Sequence, residues 1–285
     1  MASLFVSEQE KKEILSLYDE KLRELNIDYE YRSIATEYGN TNVIVCGNPA
    51  KPPIILVHGA NGCAPIAIEA YIGLIDTFSI YAIDVLAQPN KSAETRISMK
   101  DDSYGIWMNK IIDSLKIENV IMAGFSFGGL VILKTLEFNE SRIKEVYLSS
   151  PAYIVNGNPI KALFKVFIPM KRYMKTKNQK YIEKFLAEIF TERDKFAVKY
   201  LSKVFLYFKM DFSSVPIIEK EKAKGIKTPI TLFAAKKDIL FPGNKMIRRA
   251  LKIFPSLKNY KLLENSKHVQ NRVQNRMIEH YITKK

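Results

Sequence analysis

The stretch Val120-Ile121-Met122-Ala123-Gly124-Phe125-Ser126-Phe127-Gly128-Gly129-Leu130 constrains this chain more than any other. An apolar, β-branched run leads directly into G-x-S-x-G, and a helical apolar pattern begins directly behind it. A serine turned abruptly from strand into helix adopts a strained backbone, and the residues two before and two after it must lack bulk. Gly124 and Gly128 meet that need. Such a turn lifts the Ser126 hydroxyl above the carboxyl edge of a sheet, where open α/β sheets place their ligands. It also leaves the Phe127 N–H at a helix tip, suited to an oxyanion. A glycine-rich turn that merely contains a serine is the bland alternative, and the strand and helix on either side argue against it.

The rest of the chain supplies the sheet that this turn requires. Residues 7–25 carry Ile14, Leu15, Tyr18, Leu22 and Leu25 at helical spacing. Residues 29–46 read as a β-hairpin turning at Gly39-Asn40. Strands are then expected at Ile54–Val57, Ser79–Ile83, Val120–Ala123 and Glu145–Leu148, with helices at 65–76, 103–116 and 128–138. Strands alternating with helices of this length predict βαβ units and a mostly parallel, doubly wound sheet. The alternation breaks at Ser149-Ser150-Pro151 and resumes after Lys227-Thr228-Pro229, with strands at Ile230–Ala234 and Asn259–Leu263 and helices at 243–253 and 270–282. Between the breaks lie only amphipathic helical stripes. The organisation expected is therefore an α/β core in two parts, 1–151 and 227–285, interrupted by a helical insertion at 152–226.

Charge singles out the same insertion. The chain of 285 residues has a formal net charge of +14, and nine of those charges fall between Lys161 and Lys209. A basic excess suits nucleic acid, anionic lipid or acidic substrates, or a solvated lysine-rich face. The aromatics of the insertion follow helical spacing, which suits packing better than base stacking, so no nucleic-acid partner is expected. No apolar run approaches the roughly 20 residues that span a bilayer. The first residues turn charged too early for a secretory leader, which leads to the expectation of a cytoplasmic protein. Cys46 and Cys63 are too few for a disulfide framework or a Cys-rich zinc site. The absence of H-E-x-x-H, a P-loop and G-x-G-x-x-G leads to the expectation of no metal and no organic cofactor.

A nucleophilic serine needs a base, and the chain has three histidines. His58 ends a strand upstream of the serine, and His280 sits in the terminal helix, where a solvated surface residue is expected. His268, in Leu263-Glu264-Asn265-Ser266-Lys267-His268, is the one placed beyond a strand end and after Ser126. A base of this kind needs a carboxylate to hold its tautomer. Asp238, in Ala235-Lys236-Lys237-Asp238, follows a strand between the two. A loop aspartate capping a turn is the competing reading. Asp84, upstream, reads as a loop-ordering residue, and Cys63 as a small packing residue.

The order Ser126, Asp238, His268, each at a strand end, is that of the α/β-hydrolases. The chain resembles bacterial carboxylesterases of the naproxen-esterase type. The likeness is carried by Val43–Gly47, Pro53–Ala60, Tyr81–Asp84, Gln88–Ser92, Gly124–Leu130, Leu148–Ala152 and Pro229–Pro242. It departs at Lys267, where the family usually has glycine, and at Phe127, which is bulkier than usual. The resemblance implies a serine esterase acting on small esters through an acyl-enzyme. It implies that 152–226 is a cap over the site, and that the Ala60 N–H joins that of Phe127 as an oxyanion donor. Phe125, Trp107, Tyr153, Phe164 and Phe167 are candidates for an apolar pocket, each equally readable as core. The same scaffold also runs thioester, amide, lactone and C–C hydrolysis, or binds ligands without turnover. The physiological ester and the oligomeric state stay open at this stage.

Overall fold

In a computed structural model that describes residues 3–284, the chain opens with α1 (Glu8–Glu24), whose first turn is capped by Ser7 accepting the Glu10 N–H. The antiparallel pair β1 (Tyr29–Thr36) and β2 (Gly39–Gly47) follows, then β3 (Pro53–Val57), α2 (Ala64–Ala70), β4 (Ser79–Ile83) and α3 (Ser103–Leu115). Next come β5 (Val120–Phe125), α4 (Phe127–Phe138) and β6 (Ile143–Ser149). The inserted region carries α5 (Pro159–Ala162), a π-helical turn at Leu163–Phe167, α6 (Ile168–Thr176), α7 (Gln179–Ile189), α8 (Lys195–Tyr207) and α9 (Lys220–Gly225). The core then resumes with β7 (Ile230–Ala235), α10 (Gly243–Ile253), β8 (Leu257–Leu263) and α11 (Arg272–Thr283).

The strands form one sheet in the order β1-β2-β4-β3-β5-β6-β7-β8. Every pairing from β4 to β8 is parallel, and only the two involving the hairpin, β1 with β2 and β2 with β4, are antiparallel. The two strands at the middle of the sheet, β3 and β5, are apolar throughout because both faces are covered. On one face β3, β5, β6 and β7 bury side chains against α3, α4 and α10, and on the other they bury side chains against α1, α2 and α11. The inserted helices α6, α7 and α8 extend that second layer. The fold is the doubly wound sheet with hairpin and helical insertion that the sequence predicts.

Three local expectations change. The hairpin turns at Glu37-Tyr38, and Gly39 opens β2 opposite Thr36 with φ of +106°. Thr36 Oγ1 accepts the Tyr38 N–H and donates to the Gly39 carbonyl, so the threonine hydroxyl closes the turn two residues early. The helix expected at 65–76 breaks at Tyr71 and continues as a 3₁₀ turn over Ile72–Asp76. There the Gly73 N–H donates to Glu279 of α11 at 2.8 Å, a tertiary bond that a continuous helix would not leave free. Finally, the ends of 152–226 do not stand apart: Ala152–Val155 and Ile218, Ala223 and Ile226 bury into the same core as β6 and β7. The segment that departs from the core layer is about 156–217.

Candidate active site

Ser126 occupies the joint between β5 and α4, with φ 53° and ψ −115°. A non-glycine residue there carries strain of order 1–3 kcal/mol, which persists only where the surroundings over-determine it. They do so here. The Ser126 N–H donates to the Ser149 carbonyl at 3.0 Å, and its own carbonyl accepts the N–H of Gly129 and of Ala152, each at 2.9 Å. The flanking glycines have no room for a side chain. A Cβ on Gly128 would lie 2.2 Å from the Val57 carbonyl oxygen, and one on Gly124 would lie 2.8 Å from that of Gly128.

The loops after β7 and β8 bring the other two predicted groups to the serine. Ser126 Oγ lies 2.9 Å from His268 Nε2, and His268 Nδ1 lies 2.7 Å from Asp238 Oδ2. All three are buried. The second carboxylate oxygen of Asp238 accepts the N–H groups of Leu240 and Phe241 at 2.7 and 3.0 Å, so its orientation is fixed from both sides. Asp238 thus caps a turn and meets the histidine at once. In neutral His268 the Nδ1–H donates to Asp238, leaving Nε2 to accept the serine proton. The rings of Phe125 and Phe241 stand 5.0 and 5.5 Å from the imidazole and close it in.

Two polar side chains that the sequence did not point to hold the histidine loop. Gln270 donates to the His268 carbonyl and to Ser150 Oγ, and accepts from Ser149 Oγ, tying the loop to the end of β6. Thr191, in the inserted region, donates through Oγ1 to the Val269 carbonyl at 2.6 Å and accepts the Lys267 N–H at 3.0 Å. The Val269 N–H donates to the Ile189 carbonyl, and the Thr191 N–H to that of Val269, making a short parallel bridge. The departure at Lys267 finds its place here, with the ammonium reaching the Ala187 carbonyl at the end of α7.

Ala60 and Phe127 both line a cavity of about 80 Å³, together with Asn61, Ala87, Gln88, Arg96, Ile97, Met99, Tyr104, Phe208, Asp211, Ser213 and Val215. As the first residue of α4, Phe127 has an N–H without an intrahelical acceptor. The Ala60 loop is held from behind by His58. Its Nδ1–H donates to the Gly59 carbonyl at 2.7 Å and its Nε2 accepts the Val85 N–H at 3.0 Å. Burial pushes the His58 pKa down to about 4, so the ring is neutral and keeps that tautomer. Asp84 orders the neighbouring turn, accepting from the Ala64 N–H, Tyr18 Oη and Asn42 Nδ2. Burial pushes its pKa up to about 6 despite these donors. Cys63 is buried and burial raises its thiol pKa, as suits a packing residue. His280 is exposed on α11.

The candidate pocket aromatics divide. Phe125 and Phe127 flank the serine. Trp107 does not line the cavity: it is fully buried and donates its indole N–H to Thr41 Oγ1 at 2.9 Å, and Tyr104 stands between it and Phe127. Tyr153 is also core, with Lys134 over its ring and its hydroxyl on Glu137. Phe164 and Phe167 are the reverse case, exposed on the π-helical turn instead of facing inward. A larger cleft of about 460 Å³, lined by Asp102, Glu137, Glu140 and Lys222, lies at the far end of α4 and away from Ser126.

A family model described as alpha/beta hydrolase fold matches residues 52–195. Two Bacillus subtilis (strain 168) proteins are similar in sequence. One is the uncharacterized carboxylesterase nap, 32% identical over 119 residues, covering 42% of this chain and 40% of that protein. The other is carboxylesterase YbfK, 29% identical over 135 residues, covering 47% of this chain and 46% of that protein. The chain thus matches less than half the length of these curated relatives in sequence. In structure it is similar to naproxen esterase (carboxylesterase NP) from Bacillus subtilis, with a TM-score of 0.83 at 21% identity, over 97% of this chain and 98% of that one.

Proposed function

This chain belongs to the α/β-hydrolase family, and from that premise we propose that it is a carboxylesterase working through Ser126, His268 and Asp238. The observation that carries the reading is the buried hydrogen-bond series Ser126–His268–Asp238, raised on a strained strand-to-helix turn. Ser126 Oγ attacks the ester carbonyl carbon while its proton passes to His268 Nε2. The carbonyl oxygen, now an oxyanion, takes hydrogen bonds from the Ala60 and Phe127 N–H groups. Asp238 offsets the imidazolium charge. Collapse of the intermediate expels the alcohol, which takes the proton from Nε2. Water then attacks the acyl-enzyme, gives its proton to His268, and the carboxylic acid leaves with Ser126 restored. Each step uses groups of the chain and water alone, so neither metal nor organic cofactor is required.

The substrate class follows from the walls. Ile97, Met99, Tyr104, Phe127, Phe208 and Val215 favour a small apolar group on the oxyanion side. In this reading the inserted stretch of about 156–217 is the cap, because Phe208, Asp211, Ser213 and Val215 close that cavity from the inserted side. A cytoplasmic location belongs to the same reading, and the two free, buried cysteines suit a reducing compartment. The test is a panel of p-nitrophenyl esters graded by acyl length, with thioester, amide and lactone analogues beside them and Ser126→Ala as control. We expect short esters to be cleaved, and Ser126→Ala to lose turnover by about 10⁴–10⁶-fold and all labelling by a fluorophosphonate. Undiminished labelling of Ser126→Ala would remove Ser126 from the mechanism. Labelling of the native chain without ester cleavage would move the reading to another bond.

A further inference from the structure

The inserted region contains a surface that the site does not use. From Asn158 to Lys177 the chain runs as one helical stretch through α5, the π turn and α6, with Ala162, Val166, Met170 and Tyr173 buried. Its outer side carries Ile160, Leu163, Phe164 and Phe167, exposed by 67, 47, 62 and 39%. These follow the i, i+3, i+4, i+7 spacing of a single helix face. Scattered apolar residues on a surface need no explanation, whereas four within one short stretch make a patch. Phe212, 48% exposed, extends it and lies under the Lys171 ammonium at 4.6 Å. Phe212 also sits between Asp211 and Ser213, which line the cavity shared by Ala60 and Phe127, so the patch adjoins a wall of that cavity.

The setting of this patch is strongly basic. Lys161, Lys165, Lys171, Arg172, Lys175 and Lys177 lie on the same stretch, and among the described residues its one ion pair is Lys165 with Glu188. We propose that the face formed by 158–177 and Phe212 docks onto an anionic phospholipid bilayer. Apolar side chains enter the acyl boundary while the surrounding lysines meet the lipid phosphates and carboxylates. Charge decides against the other occupants. A second copy would set like-charged rims against each other. A nucleic acid would leave Ile160 and Leu163 without a complement. Docking would bring that wall of the cavity toward the headgroup layer. This proposal stands apart from the esterase reading, because vesicle binding is measured without turnover.

The test is co-sedimentation of the full chain with vesicles of phosphatidylcholine alone or with about a third phosphatidylserine. The native chain is expected to partition at least about tenfold better to the phosphatidylserine vesicles, with the gain falling as salt is raised. Phe164→Glu with Phe167→Glu should lower that partitioning by about tenfold or more while leaving the circular-dichroism melt in place. Leu251→Glu, on an exposed position of α10, should change nothing. Should the double variant unfold, Ile160→Glu alone gives the same readout. The proposal is overturned if the native chain ignores phosphatidylserine, if the Phe variants bind as the native chain does, or if Leu251→Glu weakens binding equally. It is also overturned if light scattering shows copies associating through the patch while vesicles stay unbound.

Discussion

The α/β core around Ser126 and the inserted stretch 156–217 are held in place by different physics. In the core Ser126, Asp238 and His268 are each fixed from two directions by buried hydrogen bonds, and the glycines beside the serine touch backbone where a methyl would not fit. The insertion is tied to α1 by exposed ion pairs, Lys199 with Glu20 and Lys203 with Glu13. Such pairs contribute about 0–1 kcal/mol each. Its firmer anchors are the apolar faces of α6, α7 and α8 in the second layer, and Tyr200, fully buried, whose hydroxyl donates to the Pro89 carbonyl at 2.9 Å. The chemistry thus sits where the backbone is over-determined, and the charge and exposed apolar surface sit where it is not.

The sharpest test of that contrast is Asp238→Asn. It keeps the shape of the turn but removes the charge opposite His268, and turnover should fall about 10⁴-fold with little change in melting. Near-native turnover would assign the orienting role to a different acid. Next is Gly128→Ala, whose methyl meets the Val57 carbonyl at 2.2 Å. A backbone clash in a packed joint should cost about 3 kcal/mol, read as a lower urea midpoint. A stable, active Gly128→Ala protein would mean that the joint yields and the core is less rigid than described.

Acid titration probes the same core at smaller amplitude. His58 has a folded pKa of about 4 against 6.5 for the free group, so its contribution is complete above pH 6.5 and is lost as pH falls toward 4. Asp84, at about 6 against 3.8, works the other way: its contribution is complete below pH 3.8 and is lost as pH rises through 6. Between pH 4 and 6 the two slopes oppose, each at most about 1.4 kcal/mol per pH unit. Removing one with Asp84→Asn should leave a protein whose urea midpoint drops steadily from pH 6.5 to 4. An unchanged profile would show that the two groups do not govern acid stability. The smallest effect belongs to the insertion. Tyr200→Phe removes one buried hydrogen bond and should cost about 1 kcal/mol; a much larger loss would mean that the insertion is as tightly determined as the core.

How far the sequence could be read follows the same division. Ser126 was legible because G-x-S-x-G encodes a backbone geometry within five residues, and the strand and helix beside it are local patterns too. Asp238 and His268 were legible because each follows an apolar strand in the expected order. Thr191 and Gln270 were not. The bonds of Thr191 run across 76 and 78 residues, and no period or motif marks a threonine that meets a loop at that separation. The aromatics misled for a related reason. Trp107 and Phe164 both lie on apolar helical stripes, and spacing alone does not say whether a stripe faces a sheet, a cavity or the outside.

The short parallel bridge between Phe190 and Val269 has a consequence for modularity. An insertion of this kind invites exchange, one relative's cassette for another's, as a way to change the ligand a protein of this fold accepts. Here the joint cannot be cut at the sequence boundaries of the insertion, because Ile189 to Thr191 form one wall of the seat in which His268 rests. A graft that replaces 156–217 whole takes that wall away along with the loop it supports. A graft confined to 158–177, which forms no part of the seat, leaves it standing. The region that looks most portable in the sequence therefore has a fixed half and an interchangeable half, and the dividing line falls near the start of α7.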